Sequence, residues 1–188
     1  GGFPDELFAV EYPAPGDPAL AAQIIDLLDP TEVSADHAWG LDHGTWSVLV
    51  HAFPAADVPI VQLSIDRTQP ARFHYDRGAR LAPLPDAGVL LVGSGNVVHS
   101  RPGMAGGAGA PAYPGATRFE RQVARWLADG DHDALIDHEH QGEDARLSIP
   151  TPEHYLPLLP IIGATQAGDA ALTLVDGIEG GSLSMLSV

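Results

Sequence analysis

The stretch Gly88-Val89-Leu90-Leu91-Val92-Gly93-Ser94-Gly95-Asn96-Val97-Val98-His99 decides the fold prediction for this chain. Its apolar run, residues 88–92, has the length and composition of a buried strand. Two glycines then allow a tight turn, and a histidine follows soon after them. Because ligands in open α/β sheets bind outside the carboxyl ends of strands, His99 is a candidate metal ligand or acid–base group. The alternative interpretation is a hydrogen-bonded loop histidine that takes no part in chemistry.

Helical and extended segments alternate along the rest of the chain. This order predicts an α/β fold, a single domain with a central mixed β-sheet flanked by helices. Apolar spacing predicts helices over residues 19–28, 46–53, 71–81, 117–127, 131–137 and 152–162. Strands are predicted at residues 31–35, 59–65 and 88–93, and residues 172–175 and 182–185 are predicted to pair as the final strands. Residues 101–115, rich in Gly, Ala and Pro, are predicted to form a loop.

The composition excludes several kinds of chemistry. The formal net charge is −16, and such a surface repels nucleic acid and anionic membranes. All nine basic residues are Arg, so a Schiff-base lysine and a P-loop lysine are excluded. The absence of Cys excludes thiolate catalysis, disulfides and cysteine-bound zinc. A bound metal would therefore need His, Asp, Glu or backbone oxygen ligands.

The sequence shows no targeting or membrane segment. No apolar run reaches the roughly 18 residues of a membrane span, and no signal peptide is visible. These patterns predict a cytoplasmic protein.

Eight of the nine histidines divide into two groups by their sequence context. Five lie in helical or acidic contexts and are interpreted as surface or structural residues: His51, His74, His132, His138 and His140. The last two are separated by one residue, so they do not share a helix face and do not predict a metal site.

The remaining candidates lie where predicted elements begin or end, beside Gly or Pro: His43, His99 and His154. Asp42 is predicted to cap the helix after it, and Thr151 the helix that contains His154. The negative charge of Glu153 is favourable at the positive, N-terminal end of that helix. The His154 imidazole fits the same place if it is neutral, which is the form that binds a metal or a substrate. Imidazole and carboxylate together suit Fe(II), Zn and Mn. These residues predict a redox or hydrolytic metal site.

Five separated segments carry a family resemblance. They are Trp39-Gly40-Leu41-Asp42-His43-Gly44-Thr45-Trp46, Pro59-Ile60-Val61-Gln62-Leu63-Ser64-Ile65-Asp66, Gly93-Ser94-Gly95-Asn96-Val97-Val98-His99, Thr151-Pro152-Glu153-His154-Tyr155-Leu156-Pro157-Leu158 and Gly181-Ser182-Leu183-Ser184-Met185. Together, in this order, they resemble the class III extradiol ring-cleavage dioxygenases, and within them the 4,5-DOPA dioxygenase-like branch.

The resemblance implies a reaction and a cofactor. A catechol ring is opened beside its two hydroxyls and both atoms of dioxygen are inserted, so the implied partners are a catechol and dioxygen. The implied cofactor is a mononuclear non-haem metal, Fe(II) in the first place and zinc as the alternative. The metal would bind both catechol oxygens while a histidine moves a proton. The oligomeric state is left open.

The resemblance also implies roles for four residues. His99 is implied to be catalytic as the acid–base group, or else a metal ligand. His43 is implied to orient the substrate hydroxyl and oxygen, as a catalytic and substrate-binding residue. His154 is implied to bind the metal or the substrate, and Glu153 aligns with the carboxylate ligand of the wider family. The choice between Glu153 and His154 as metal ligand stays open.

The family also carries two upstream histidine ligands, in a His-Gly-Ser-Pro and an Ala-His-Trp motif, and neither motif occurs in this sequence. We therefore expect residues 1–188 to be an N-terminally truncated dioxygenase-like domain whose missing part supplies those ligands and further strands. Three hypotheses follow. They are a catechol dioxygenase, an inactive or weakly metal-binding remnant that acts as a binding or assembly module, and a metal-dependent hydrolase on a similar scaffold.

Overall fold

A computed structural model describes residues 5–100 and 109–188 of the chain. By their contacts the residues group into two units, Gly1–Ser64 and Ile65–Val188. The predicted loop at residues 101–115 lies mostly outside the described residues. None of the described helices combines the length and the apolar character that a membrane crossing needs.

The first unit contains helices α1 (Asp5–Phe8), α2 (Pro18–Leu28) and α3 (His43–Ala52). Helix α2 begins one residue before the predicted range, because the Asp17 carboxylate accepts hydrogen bonds from the first backbone N–H groups and Pro18 occupies the first turn. A parallel bridge between Gly16 and Ile60 ties the two ends of this unit together.

The described residues of the second unit form five helices and a short hairpin. The helices are α4 (Ala71–Leu81), α5 (Pro114–Asp129), α6 (His132–Ile136), α7 (Glu143–Ser148) and α8 (Leu158–Gly163). Within the described ranges, 3-10 turns lie between these helices at Pro85–Ala87, His138–His140 and Pro152–His154. Strands β1 (Ile178–Glu179) and β2 (Leu183–Ser184) pair in antiparallel fashion, with Ile178 opposite Ser184.

Helix α5 forms the centre of the core in the second unit. Phe119, Val123 and Leu127 recur every four residues and are buried, as the amphipathic pattern predicts. They pack with Val98 and Tyr155 in one hydrophobic cluster. The helix ends at Gly130, whose φ of 67° is the left-handed conformation that glycine adopts at little cost.

Helices α4 and α8 pack against each other at two glycines. A Cβ on Gly78 would lie 2.1 Å from the carbonyl oxygen of Pro160, and a Cβ on Gly163 would lie 2.1 Å from that of Tyr75. Both positions therefore require glycine, because the two backbones approach too closely for any side chain.

A buried carboxylate on α5 holds the base of the hairpin. The backbone N–H of Gly177 donates to Oε1 of Glu120 at 2.6 Å, and Gly177 accepts from the N–H of Met185 at 2.8 Å. Glu120 is only 4% exposed, and its Oε2 has no hydrogen-bond partner among the described residues. The carboxylate thus links the helix to the C-terminal segment.

The structure shows helices and a small antiparallel sheet, and the predicted central mixed sheet is not formed by the described residues. The segment at 88–93 has no strand partner there, and Leu90 and Val92 are 71% and 55% exposed. Residues 31–35 form no strand, and residues 59–65 contribute one bridge, at Ile60. An apolar run becomes a strand only when a neighbour takes up its backbone hydrogen bonds, and the described part of the chain pairs these runs only through the bridge between Gly16 and Ile60.

Two further predictions need correction. The final strands pair, but through Ile178–Glu179 and Leu183–Ser184, with one more bridge between Val175 and Ser187. The helix predicted at 152–162 is divided into the 3-10 turn Pro152–His154 and helix α8. Pro157 explains the break, because proline lacks the N–H that a continuous helix needs at that position and clashes with the preceding turn.

Candidate functional site

The second unit brings His99 and His154 into direct contact. Their imidazole rings are stacked, with centroids 3.7 Å apart and planes only 9° from parallel. Both residues are half-buried. The 55 positions that separate them in sequence are therefore bridged by the fold, and the pair forms the centre of the candidate site.

His99 is held by its backbone on two sides. Its N–H donates to the carbonyl of Ser148 at 2.9 Å, and it forms an antiparallel bridge with Leu183 of β2. The N–H of Ser184 donates to the carbonyl of the neighbouring Val98 at 3.0 Å. The predicted strand end at His99 thus receives its partner from the C-terminal hairpin.

His154 is held against the glycine-rich segment that leads to His99. Its carbonyl accepts a hydrogen bond from the N–H of Asn96 at 2.8 Å. A Cβ on Gly95 would lie 2.2 Å from the same carbonyl oxygen, so the approach requires glycine. The glycine-rich segment therefore determines how closely the two histidine-bearing segments approach.

Glu153 lies beside the pair in sequence and is exposed. Partial desolvation raises the pKa of its carboxyl, but hydrogen bonds from its own N–H and from Thr151, with the charges of His154 and Arg67, outweigh this and lower the pKa below its ordinary value. The Thr151 hydroxyl donates to Glu153 Oε1 at 2.9 Å. Thr151 occupies the predicted N-cap position, there of the 3-10 turn Pro152–His154, but its side chain makes no cap hydrogen bond because its hydroxyl donates to the carboxylate.

The donor types of these residues suit a non-haem iron or zinc ion, but their geometry restricts how they could hold one. An imidazole nitrogen binds a metal in the plane of its ring, at about 2.0–2.1 Å. Two nearly parallel planes at stacking distance do not converge on one ion. The arrangement fits a site in which one of the two imidazoles binds the metal and the other lies beside it for proton transfer. If both imidazoles were metal ligands, one ring would have to rotate.

The described residues do not contain a complete metal cluster. Across residues 5–100 and 109–188, no group of three or more His, Asp or Glu side chains is placed to hold an ion. His99, His154 and Glu153 therefore remain predicted ligands, and the stacked pair is the part of the prediction that the fold brings together.

His43 belongs to the first unit, where it is the first residue of α3 and is exposed. The predicted cap is present, because the Asp42 carboxylate accepts the N–H of Thr45 at 2.9 Å. Gln62 Oε1 accepts from the N–H of Asp42 at 3.0 Å and from the hydroxyl of Thr45 at 2.8 Å. These bonds fix the turn that presents His43.

Two of the histidines interpreted as structural are buried in the second unit. His74 Nε2 lies 3.0 Å from the carbonyl oxygen of Asp66, and burial lowers the pKa of its imidazole. Burial also lowers the pKa of His138, whose ring packs against Tyr155. Neutral imidazoles in these positions support the structural interpretation.

The sequence did not single out Asn96 or Ser184 as functional candidates. The Asn96 side chain donates from Nδ2 to the carbonyl of Ser184 at 2.7 Å, beside the bridge that holds His99. An asparagine directly after a tight Gly-Ser-Gly turn is a recognisable sign of a side chain that bonds nearby backbone. This sign could have indicated Asn96.

The chain matches proteins of one enzyme family along most of its length. A family model described as the catalytic LigB subunit of aromatic ring-opening dioxygenase matches residues 2–173. The 4,5-DOPA dioxygenase extradiol of Escherichia coli (strain K12) is 47% identical over 193 residues, covering 100% of this chain and 70% of that protein. The protein of the same name from Beta vulgaris is 36% identical over 186 residues, covering 97% of this chain and 69% of that protein.

A solved structure agrees with these matches. The crystal structure of the uncharacterized protein JW3007 from Escherichia coli K12 superposes with a TM-score of 0.88 and 46% identity, covering 96% of this chain and 75% of that one. The class defined by the matches is that of the extradiol aromatic ring-opening dioxygenases, enzymes that depend on a non-haem metal. Within this class the chain belongs to the LigB family, which confirms the resemblance and the predicted enzyme class.

Proposed function

We propose that this chain catalyses extradiol cleavage of a DOPA-like catechol, with insertion of both atoms of dioxygen, at a non-haem metal that is Fe(II) in the first place and zinc as the alternative. The observation that carries the proposal is the stacked pair His99–His154, with ring centroids 3.7 Å apart. The substrate class is taken from the relatives whose names specify 4,5-DOPA.

The residues of the pair have complementary tasks in this proposal. His154 or Glu153 would hold the metal, which when bound lowers the pKa of the catechol hydroxyls and positions the ring. His99, with its backbone fixed by Ser148 and Leu183, holds an imidazole that takes or returns a proton at a catechol oxygen. An alternative places His99 among the metal ligands.

His43 is proposed to orient the substrate hydroxyl and oxygen. The hydrogen bonds between Asp42, Thr45 and Gln62 support a fixed position for its backbone. Orientation of this kind lowers the barrier by restricting the reacting groups before the reaction begins.

The alternative function is that of an inactive or weakly metal-binding remnant of the fold that acts as a binding or assembly module. A remnant would bind catechols or another chain without opening the ring, so the two functions differ in a measurable product.

The test compares the parent protein with His99→Ala and with His51→Ala as the matched control, since His51 is an exposed helix residue. Each is loaded with Fe(II) or zinc without oxygen, and DOPA or another catechol is then added with oxygen. We expect a coloured ring-opened product from the parent and the control, and a loss of at least about a hundredfold in kcat/KM for His99→Ala. The dioxygenase proposal is wrong if no catechol gives product with either metal. A near-normal rate for His99→Ala removes that residue from the mechanism.

A further inference from the structure

We propose that Asn96 is a positioning residue that fixes the stacked rings of His99 and His154 relative to each other. The inference rests on the proposed function, because it assigns Asn96 a role in the same site. Asn96 contacts the two segments on which that geometry depends, one through its backbone and the other through its side chain.

The backbone of Asn96 reaches the segment that carries His154. Its N–H donates to the His154 carbonyl at 2.8 Å, and the adjacent Gly95 approaches that oxygen more closely than any side chain would allow. This hydrogen bond joins the backbone of Asn96 to the backbone of His154, whose ring is stacked on that of His99. A shift of the Asn96 backbone therefore moves His154 directly.

The side chain of Asn96 reaches the strand that pairs with His99. Nδ2 donates to the carbonyl of Ser184 at 2.7 Å, and Ser184 donates its own N–H to Val98 at 3.0 Å. The neighbouring Leu183 forms the bridge to His99. Asn96 therefore connects its own segment to the segments of His154 and Ser184, which lie far apart in the sequence. Because its side chain is half-buried, water competes less for its hydrogen bond.

The chemistry of an amide is specific to this role. The Ser184 carbonyl accepts a hydrogen bond and cannot donate one, so the residue that faces it must donate. A carboxylate of nearly the same shape would place a negative oxygen against that carbonyl, whereas a protonated carboxyl would donate again. The isosteric change Asn96→Asp therefore removes the bond at neutral pH and restores it in part as the carboxyl becomes protonated.

The test uses the full chain and three variants: Asn96→Asp, Asn96→Ala and the control Ser182→Ala. The Ser182 hydroxyl donates to the carbonyl of Ser100, so the control also removes a hydrogen bond to the hairpin but leaves His154 untouched. The first readout is the set of imidazole NMR resonances of the metal-free protein, because stacked rings shift each other's signals. The second readout is kcat and KM for the catechol, and the third is the pH profile of the rate relative to the parent.

We expect both Asn96 variants to move the resonances of His99 and His154 and to lower kcat by about a hundredfold, as a misplacement of about 1 Å does, with little change in KM. Ser182→Ala should leave the resonances of His154 in place and kcat within about twofold. The rate of Asn96→Asp relative to the parent should rise as the pH falls. If Asn96→Ala does not fold, Asn96→Asp alone carries the comparison.

The positioning role is refuted if the resonances stay in place in the Asn96 variants, or if Ser182→Ala moves them equally. It is also refuted if kcat is unchanged in a parent that is active. A parent without ring-opening activity refutes the proposed function instead, and the resonances of the metal-free protein still decide whether Asn96 holds the two rings.

Discussion

His138 packs its imidazole against the phenol ring of Tyr155, with centroids 4.4 Å apart and planes inclined by 35°. The Tyr155 hydroxyl donates to the carbonyl of Leu135 at 2.9 Å, whereas His138 Nδ1 has no partner among the described residues. Both rings are buried, and burial lowers the pKa of His138 although the charges of Glu139 and Asp137 oppose it. The native state therefore favours the neutral imidazole.

Acidification should destabilise the fold through His138. Its native pKa lies below the ordinary value of 6.5, so the unfolded chain binds the proton first. Above about pH 6.5, protonation of His138 does not reduce the free energy of unfolding. Below that pH the free energy of unfolding decreases as the pH falls, by up to about 1.4 kcal/mol per pH unit. Urea unfolding at a series of pH values measures this slope.

Substitution of His138 distinguishes its contribution to the pH dependence of stability from the contributions of other titrating groups. His138→Phe should keep the ring packing and flatten the loss of stability between pH 6.5 and 5, while the exposed His37→Gln should leave it unchanged. Part of the slope should persist in His138→Phe, because burial lowers the pKa of His74 as well. An unaltered slope in His138→Phe would contradict the assignment.

Gly95→Ala should separate the histidine-bearing segments. The new Cβ would lie 2.2 Å from the His154 carbonyl oxygen, which the backbone can relieve only by moving. We expect a loss of about 1–3 kcal/mol in the free energy of unfolding and a strong loss of ring-opening activity. Gly40→Ala is the matched control, since nothing lies within 4 Å of its Cβ position, and it should affect neither quantity.

Gly163→Ala should destabilise the second unit without acting on the site directly. Its Cβ would lie 2.1 Å from the Tyr75 carbonyl oxygen, so α4 and α8 would be forced apart. The expected loss is about 1–3 kcal/mol, measured by chemical unfolding. Asp76→Ala, an exposed change on α4, serves as the control. A stability equal to that of the parent would show that the two helices separate at little cost.

Removal of the metal should abolish activity reversibly. A chelator is expected to reduce ring opening to background, and added Fe(II) to restore it, because imidazole and carboxylate donors release such ions to stronger ligands. The hard, oxygen-preferring Mg²⁺ should not restore it. Full activity in the chelated protein, with metal content checked by elemental analysis, would contradict a metal-dependent reaction.

Local patterns predicted helices α2 to α6, whereas α1 and α7 were not predicted and the helix expected at 152–162 is interrupted. The sheet depended on strand partners that a local pattern does not reveal. Helix α5 follows from its buried four-residue spacing, and the caps at Asp17 and Asp42 follow from side-chain chemistry. The apolar run at 88–93 has the same composition as a strand, but strand formation requires a hydrogen-bonded neighbour. Its partner cannot be read from the run itself.

The candidate site was predicted in its residues but not in its geometry. Position beside Gly and Pro singled out His99 and His154, and the fold stacks their rings. The bonds that create the stack run from Asn96 to His154 and Ser184, across long sequence separations. Such contacts depend on how distant segments pack, which no spacing within a motif encodes.

The bond between Glu120 and Gly177 has a consequence for the order in which the protein is made. The carboxylate is buried on α5, yet its hydrogen-bond donor follows 57 residues later in the chain. The strand that holds His99 follows later still, at Leu183–Ser184. During synthesis, which proceeds from the N-terminus, helix α5 leaves the ribosome well before its charge is partnered. The backbone contacts that hold His99 are thus completed only after Leu183 and Ser184 have been synthesised.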